Sequence, residues 1–391
     1  MNRYVRLILA VVALLLAGII YAWSFLKVPL AQNVYPDASA AQLQLNYTLT
    51  LCFFCLSGVL SGSLAKLIPA RVRMLFSAAL VAGGFAIVSQ LDAGASLLRL
   101  YVGYGFLAGA GIGMVYNTVI SVTNAWFPDR KGFASGAMML GFGFSAMVLG
   151  NLAVKLFDTS VGWRGTFLWY GVGIGVLLAV IGLTVRLPKP GEVPARAVQA
   201  ATDGKDFSTG QMLRRPSFWL LYAFCTMIGM VGATAIGQSK QFMTSMNASA
   251  ATVALGASMI SVMNGLGRLI SGTMFDKIGL RKTQYVNSVV LILAPVTMLV
   301  AVKAASPAIA FIGLCMCGLA YSFAPTVTST FTLAFFGRKN FPLNFPVLTL
   351  TLIPASFAAT ALAPMSYTNT YLILTGIAVL GAAVNLFIRK A

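Results

Sequence analysis

One arginine sits inside an oily stretch. Across Ser261–Lys282 (SVMNGLGRLISGTMFDKIGLRK) the residues up to Phe275 read as an apolar helix, and Arg268 is the cation within it. Arginine does not shed its proton to escape such a place. A charge at membrane depth costs at least ~2.5–3.5 kcal/mol. The guanidinium must therefore face water or an anion. The chemistry that fits is bidentate capture of a carboxylate or similar oxyanion. The alternatives are snorkelling toward headgroups or a structural bond to main-chain carbonyls. Asn264 and Ser261 lie one and two turns earlier, on roughly the same face.

The acids sharpen this expectation. All eight, Asp37, Asp92, Asp129, Asp158, Glu192, Asp203, Asp206 and Asp276, fall in the expected loops or at span ends, and the chain has no His. Asp276 is eight residues beyond Arg268, ~12 Å along a helix, and reads as part of the turn that follows. Other side chains could complete an anion site. Tyr21 and Trp23, Tyr47, Tyr116 with Asn117, and Tyr321 are candidates, because phenols donate to carboxylates and rings cover small apolar substituents. Tyr21 and Trp23 could equally belong to an outer aromatic belt. Arg99 and Lys240 read as interfacial anchors. No cofactor and no metal site is expected. The five cysteines lie in apolar runs, and Cys52–Cys55 has neither a partner pair nor a His to make a zinc site. The glycine runs Gly103–Gly113 and Gly136–Gly150 read as helix-packing faces rather than phosphate loops.

The chain is 59% hydrophobic and 9% charged, which excludes an ordinary soluble domain. Apolar runs of about twenty residues recur, each long enough to cross ~30 Å of hydrocarbon. The expected fold is an all-α membrane protein of twelve spans: Arg6–Leu26, Leu43–Leu67, Met74–Ser89, Leu97–Asn124, Phe133–Leu156, Phe167–Val185, Phe218–Ile236, Ala251–Phe275, Tyr285–Val302, Ala308–Phe331, Leu343–Ala363 and Tyr371–Ile388. MNRYVRLILAVVALLLAGII is read as the first span rather than a secretory signal. A six-helix half over 1–185, a polar linker over 186–216 and a second half over 217–391 give the layout of a two-halved transporter. The net charge of +19 reflects topology rather than nucleic-acid binding. Most Lys and Arg fall in alternate loops, which places the linker and both termini in the cytoplasm and the chain in the inner membrane. A monomer is expected. An enzyme is not, since no His or mid-span carboxylate supplies a base.

Several motifs carry a family resemblance. Gly272, Asp276, Lys277, Gly279, Arg281 and Lys282 resemble the loop signature of the major facilitator superfamily. The equivalent turn SGSLAKLIPARVR has Lys66 at the acid position and Pro69 at the second glycine. WFPDRKGFASG (Trp126–Gly136) and GWRGTF (Gly162–Phe167) also resemble superfamily signatures. YAWSFLKVPL, DFSTGQMLRRPSFW and NGLGR are similar to the oxalate–formate antiporter family, and the arginine is shared with monocarboxylate transporters. The resemblance implies the major facilitator fold. It also implies an Arg268 that binds the substrate carboxylate, and Tyr21, Tyr116 and Tyr321 at site positions. Two departures shape the expectation. The oxalate exchanger carries a lysine in its eleventh span, where this chain has Leu348; one cation balances one charge, so a monocarboxylate is favoured over oxalate. Proton-coupled relatives have an acid where this chain has Asn264, which does not titrate. The expected function is alternating-access transport of a small organic anion of the formate, lactate or pyruvate class. The alternatives are an oxalate/formate exchanger, a drug–proton antiporter, which would usually show an intramembrane acid, and a transport-like sensor.

Overall fold

In the computed structural model the described residues are 1–189, 191–193 and 206–388, without the side chains of Ala40 and Ala41. Arg196, Asp203, Lys205, Arg389 and Lys390 lie outside them. Among the described residues twelve helices are long and apolar enough to cross a membrane. They are α1 (Arg3–Asn33), α2 (Gln42–Lys66), α3 (Ala70–Ser89), α4 (Leu97–Trp126), α5 (Lys131–Phe157), α6 (Gly162–Thr184), α7 (Pro216–Ser245), α8 (Ala250–Ile278), α9 (Leu280–Ala304), α10 (Pro307–Phe336), α11 (Phe341–Leu362) and α12 (Tyr367–Phe387). The spans number as expected, but most run longer. Serine caps explain several starts: Ser249, Ser306 and Ser366 each accept a backbone N–H in the first turn of α8, α10 and α12. Gly279, at φ 79°, turns the chain between α8 and α9 as a side-chain-bearing residue rarely could. Two corrections follow. Asp276 lies inside the last turn of α8 rather than in the loop, and Lys240 lies inside α7.

The helices pack as two units. The first comprises Met1–Asp129 with Gly141–Ala200, and the second Arg130–Leu140 with Ala201–Ala391. The start of α5 thus packs with α8 and α10, because Gly132 and Gly136 leave room for their backbones. In the first unit four helices leave α geometry: Gly18–Ala22 of α1 and Leu64–Lys66 at the end of α2 are 3-10, and Tyr101–Ala108 of α4 and Ala146–Gly150 of α5 are π. One end of this unit is stitched by arginines. Arg3 pairs with Asp129 at 2.7 Å, and Arg6 donates to Thr184 O at 2.8 Å while lying over Trp126. Arg186 holds Glu192 at 2.6 Å, and that hydrogen bond brings the exposed carboxyl down to about 2.

In the second unit the end of the linker forms a strap. Asp206 Oδ1 accepts from the backbone N–H groups of Arg338 and Lys339, at 2.7 and 3.0 Å. Phe207 N–H donates to Phe336 O, and Phe207 O accepts from Asn340 and Asn344, each at 3.0 Å. Thr209 Oγ1 donates to Asn344 Oδ1 at 2.7 Å. The short helix Thr209–Leu213 follows, opened by a Ser208–Gln211 capping box.

Two outcomes are expected. Asn344→Leu removes two strap bonds, its own to Phe207 O and that from Thr209 Oγ1, and leaves Phe207 O with Asn340. Thermal unfolding in detergent should show a loss of about 1–3 kcal/mol. The Arg186–Glu192 pairing depresses the folded-state pKa below the usual 4.5. Its contribution is therefore present above that value and lost as pH falls through about 2. Carboxyl 13C shifts should place the Glu192 midpoint near 2, returning toward the ordinary value in Arg186→Gln.

Candidate functional site

Arg268 is 1% exposed. Because α8 continues to Ile278, the side chain stands ten residues before the helix end rather than seven. That is ~15 Å along the axis from the end of a 29-residue helix. Its Nη1 donates to Met139 O of α5 at 3.0 Å. This is a main-chain oxygen, as the structural alternative requires. Around it the backbones lie close. A Cβ built on Gly136 would stand 2.6 Å from Arg268 O. Thr326 Oγ1 of α10 donates to that same carbonyl at 3.3 Å. Ser135 and Ser329 share a hydrogen bond at 3.0 Å, tying α5 to α10. Asn264, one turn before Arg268, is 3% exposed. Tyr321, 6% exposed, lies against Gly232 of α7, where any side chain would collide with its ring.

Below this cluster Asp276 caps α5. Its Oδ1 accepts from Gly132 N–H at 3.0 Å and its Oδ2 from Phe133 N–H at 2.7 Å. A carboxylate at a helix N-terminus answers both the orphan N–H groups and the dipole. The glycines of the turn signature have a matching purpose. Gly272 and Gly132 meet backbone to backbone, so that Asp276 can reach.

The other expected residues belong to the first unit. Tyr21 and Tyr116 both meet Phe142 edge-on, at 5.2 and 5.1 Å between centroids. Phe54 joins Tyr116 at 5.1 Å, so the four rings form one aromatic cluster. Phe54 and Phe142 were not anticipated; Phe142 lay within a glycine run read for packing alone. Asn117 is a helix clamp, donating to Gly58 O at 3.0 Å and accepting from Ser121 at 3.3 Å. Trp23 is not in an interfacial belt. It is 2% exposed and donates from Nε1 to Leu43 O, with Tyr104 4.8 Å away. Arg99 is exposed, as an anchor would be. Sequence reasoning also missed a second buried guanidinium. Arg73, counted among the loop charges, is 4% exposed within α3. Its Nη1 donates to Ser61 O, Ser61 Oγ and Thr118 Oγ1 at 2.9–3.3 Å.

Residues 7–343 match the model of the Major Facilitator Superfamily. The chain belongs to that superfamily. It is 31% identical over 299 residues to the oxalate:formate antiporter of Oxalobacter formigenes, covering 75% of this chain and 69% of that one. Against the uncharacterized MFS-type transporter YhjX of Escherichia coli strain K12 it is 26% identical, covering 89% and 84%. A shorter match, 35% over 99 residues, joins 25% of the chain to 21% of human monocarboxylate transporter 11. The fold resembles the proton:xylose symporter XylE, with a TM-score of 0.82 at 14% identity over 100% of this chain and 96% of that one. The protein is a multi-pass membrane transporter with a small-molecule substrate, and its relatives are transporters rather than enzymes.

The close approach of α5 to α8 predicts an asymmetric sensitivity to bulk. Gly136→Leu should lower the detergent melting temperature and scatter the gel-filtration profile, since overpacking typically costs about 1–3 kcal/mol. Gly173→Leu, where a Cβ meets nothing within 4 Å, should leave both nearly unchanged.

Proposed function

We propose that this transporter moves a small monocarboxylate of the formate, lactate or pyruvate class by alternating access, with Arg268 as the partner of the carboxylate. One observation carries the reading: a permanently charged side chain, 1% exposed, near the middle of a spanning helix. The Met139 carbonyl offers a dipole, and it uses one of the five N–H donors of a guanidinium. A dipole lowers the energy of a buried cation but does not neutralise it; an anion does.

One buried cation on α8 and none on α11 argue for a single negative charge. α11 contains no Lys or Arg, and Leu348 is fully buried in the hydrophobic core of the second unit. A dianion would remain half compensated. Oxalate/formate exchange is the second reading, favoured by the 31% identity to a protein of that name. Asn264 supplies no titrating group beside Arg268, so the reading includes no side-chain proton relay there. In this reading the chain is a monomer in the inner membrane, with both termini cytoplasmic. Residues 1–185 and 217–391 are its two halves, and Tyr21, Tyr116 and Tyr321 line the substrate's path.

The test is counterflow of labelled formate, lactate, pyruvate and oxalate in proteoliposomes. Arg268→Gln should abolish monocarboxylate counterflow, and Arg268→Lys should restore only a small part, because an ammonium lacks the planar fork. Undiminished uptake in Arg268→Gln, or tightest binding to oxalate, would overturn the reading. Asn264→Asp places a carboxylate one turn from the guanidinium. Uptake should fall at neutral pH and recover as acidification protonates the new group below its depressed pKa.

A further inference from the structure

A second polar group lies on the same face as Arg268. Asn264 Oδ1 is buried and receives no hydrogen bond among the described residues. An amide oxygen only accepts. Leaving one buried and unsatisfied costs about as much as a whole hydrogen bond is worth, so the position makes sense where a donor arrives from outside the chain. The spacing of four residues sets Asn264 and Arg268 on one face, ~5–6 Å apart between Cβ atoms. Asn46 and Asn287 also have buried amide atoms without partners, but neither has a buried cation one turn away on its own helix.

We propose that Asn264 is the residue that reads the carbon next to the carboxylate. Its oxygen accepts from a hydroxyl there, selecting 2-hydroxy monocarboxylates over unsubstituted ones. This rests on the reading of Arg268 as the carboxylate's partner. A carboxylate and a 2-oxo group are both acceptors only. Neither satisfies Asn264 Oδ1, although a 2-oxo group can accept from Nδ2 of the same amide. A 2-hydroxyl is the one small substituent among these acids that donates, and it sits beside the carboxylate that Arg268 holds. Hydroxyl recognition and charge recognition are thereby divided between two residues on one helix.

The experiment measures inhibition of labelled glycolate counterflow in proteoliposomes by matched acids: glycolate against acetate, and lactate against propionate. Wild-type protein should favour the hydroxy acid of each set by about ten-fold or more, the worth of one well-made hydrogen bond. In Asn264→Leu, which keeps the volume and loses the acceptor, that ratio should fall to within about two-fold because the hydroxy acid binds less well. The wild-type panel stands even if the variant does not fold. Equal inhibition by hydroxy and non-hydroxy acids in wild type, with counterflow still abolished by Arg268→Gln, would overturn the role of Asn264 and leave the carboxylate reading intact. Glycolate counterflow that survives Arg268→Gln would remove that reading, and this inference with it.

Discussion

A guanidinium in hydrocarbon can be accommodated by dipoles, water or an anion, but it does not become neutral by losing its proton. The neighbourhood of Arg268 follows from that constraint. Gly136 has no side chain, so α5 comes close enough for Met139 O to accept from Nη1. Thr326 occupies the carbonyl of Arg268 itself. Asp276 then fixes the start of α5 from the end of the same helix that carries the arginine. One helix thus presents the cation, and also anchors the segment that contacts it.

Much of this architecture was legible in the sequence. Twelve apolar stretches are hard to miss when bilayer thickness sets the length and few charges interrupt them. Their ends were harder to place. Hydropathy reports where the oil stops, while capping reports where the helix stops, and Ser249 and Gly279 extend α8 past its oily part. That difference drew Asp276 into the helix. Arg73 was missed for a related reason. It lies three residues into α3 beside two basic neighbours, where pattern alone reads a loop charge. Only packing against Ser61 and Thr118 shows it to be interior.

The candidate site was legible by residue type and less so by role. Tyr21 and Tyr116 were singled out for their hydroxyls, yet their rings also build a cluster with Phe54 and Phe142. Asn117 was singled out for polarity and works as a clamp on α2. A single sequence gives no sign of which neighbour a polar side chain will find across a helix interface. The linker shows the same limit: its composition reads as loose, whereas Asp206, Phe207 and Thr209 are fastened to the turn between α10 and α11.

Everything turns on whether the cargo supplies the negative charge that Arg268 meets. A crystal or cryo-cooled structure with bromoacetate bound would answer this most directly, since bromine marks the position of a small carboxylate by anomalous scattering. The account predicts its carboxylate oxygens within hydrogen-bonding distance of the Arg268 guanidinium. Bromoacetate bound elsewhere in the protein, away from the Arg268 guanidinium, would contradict it.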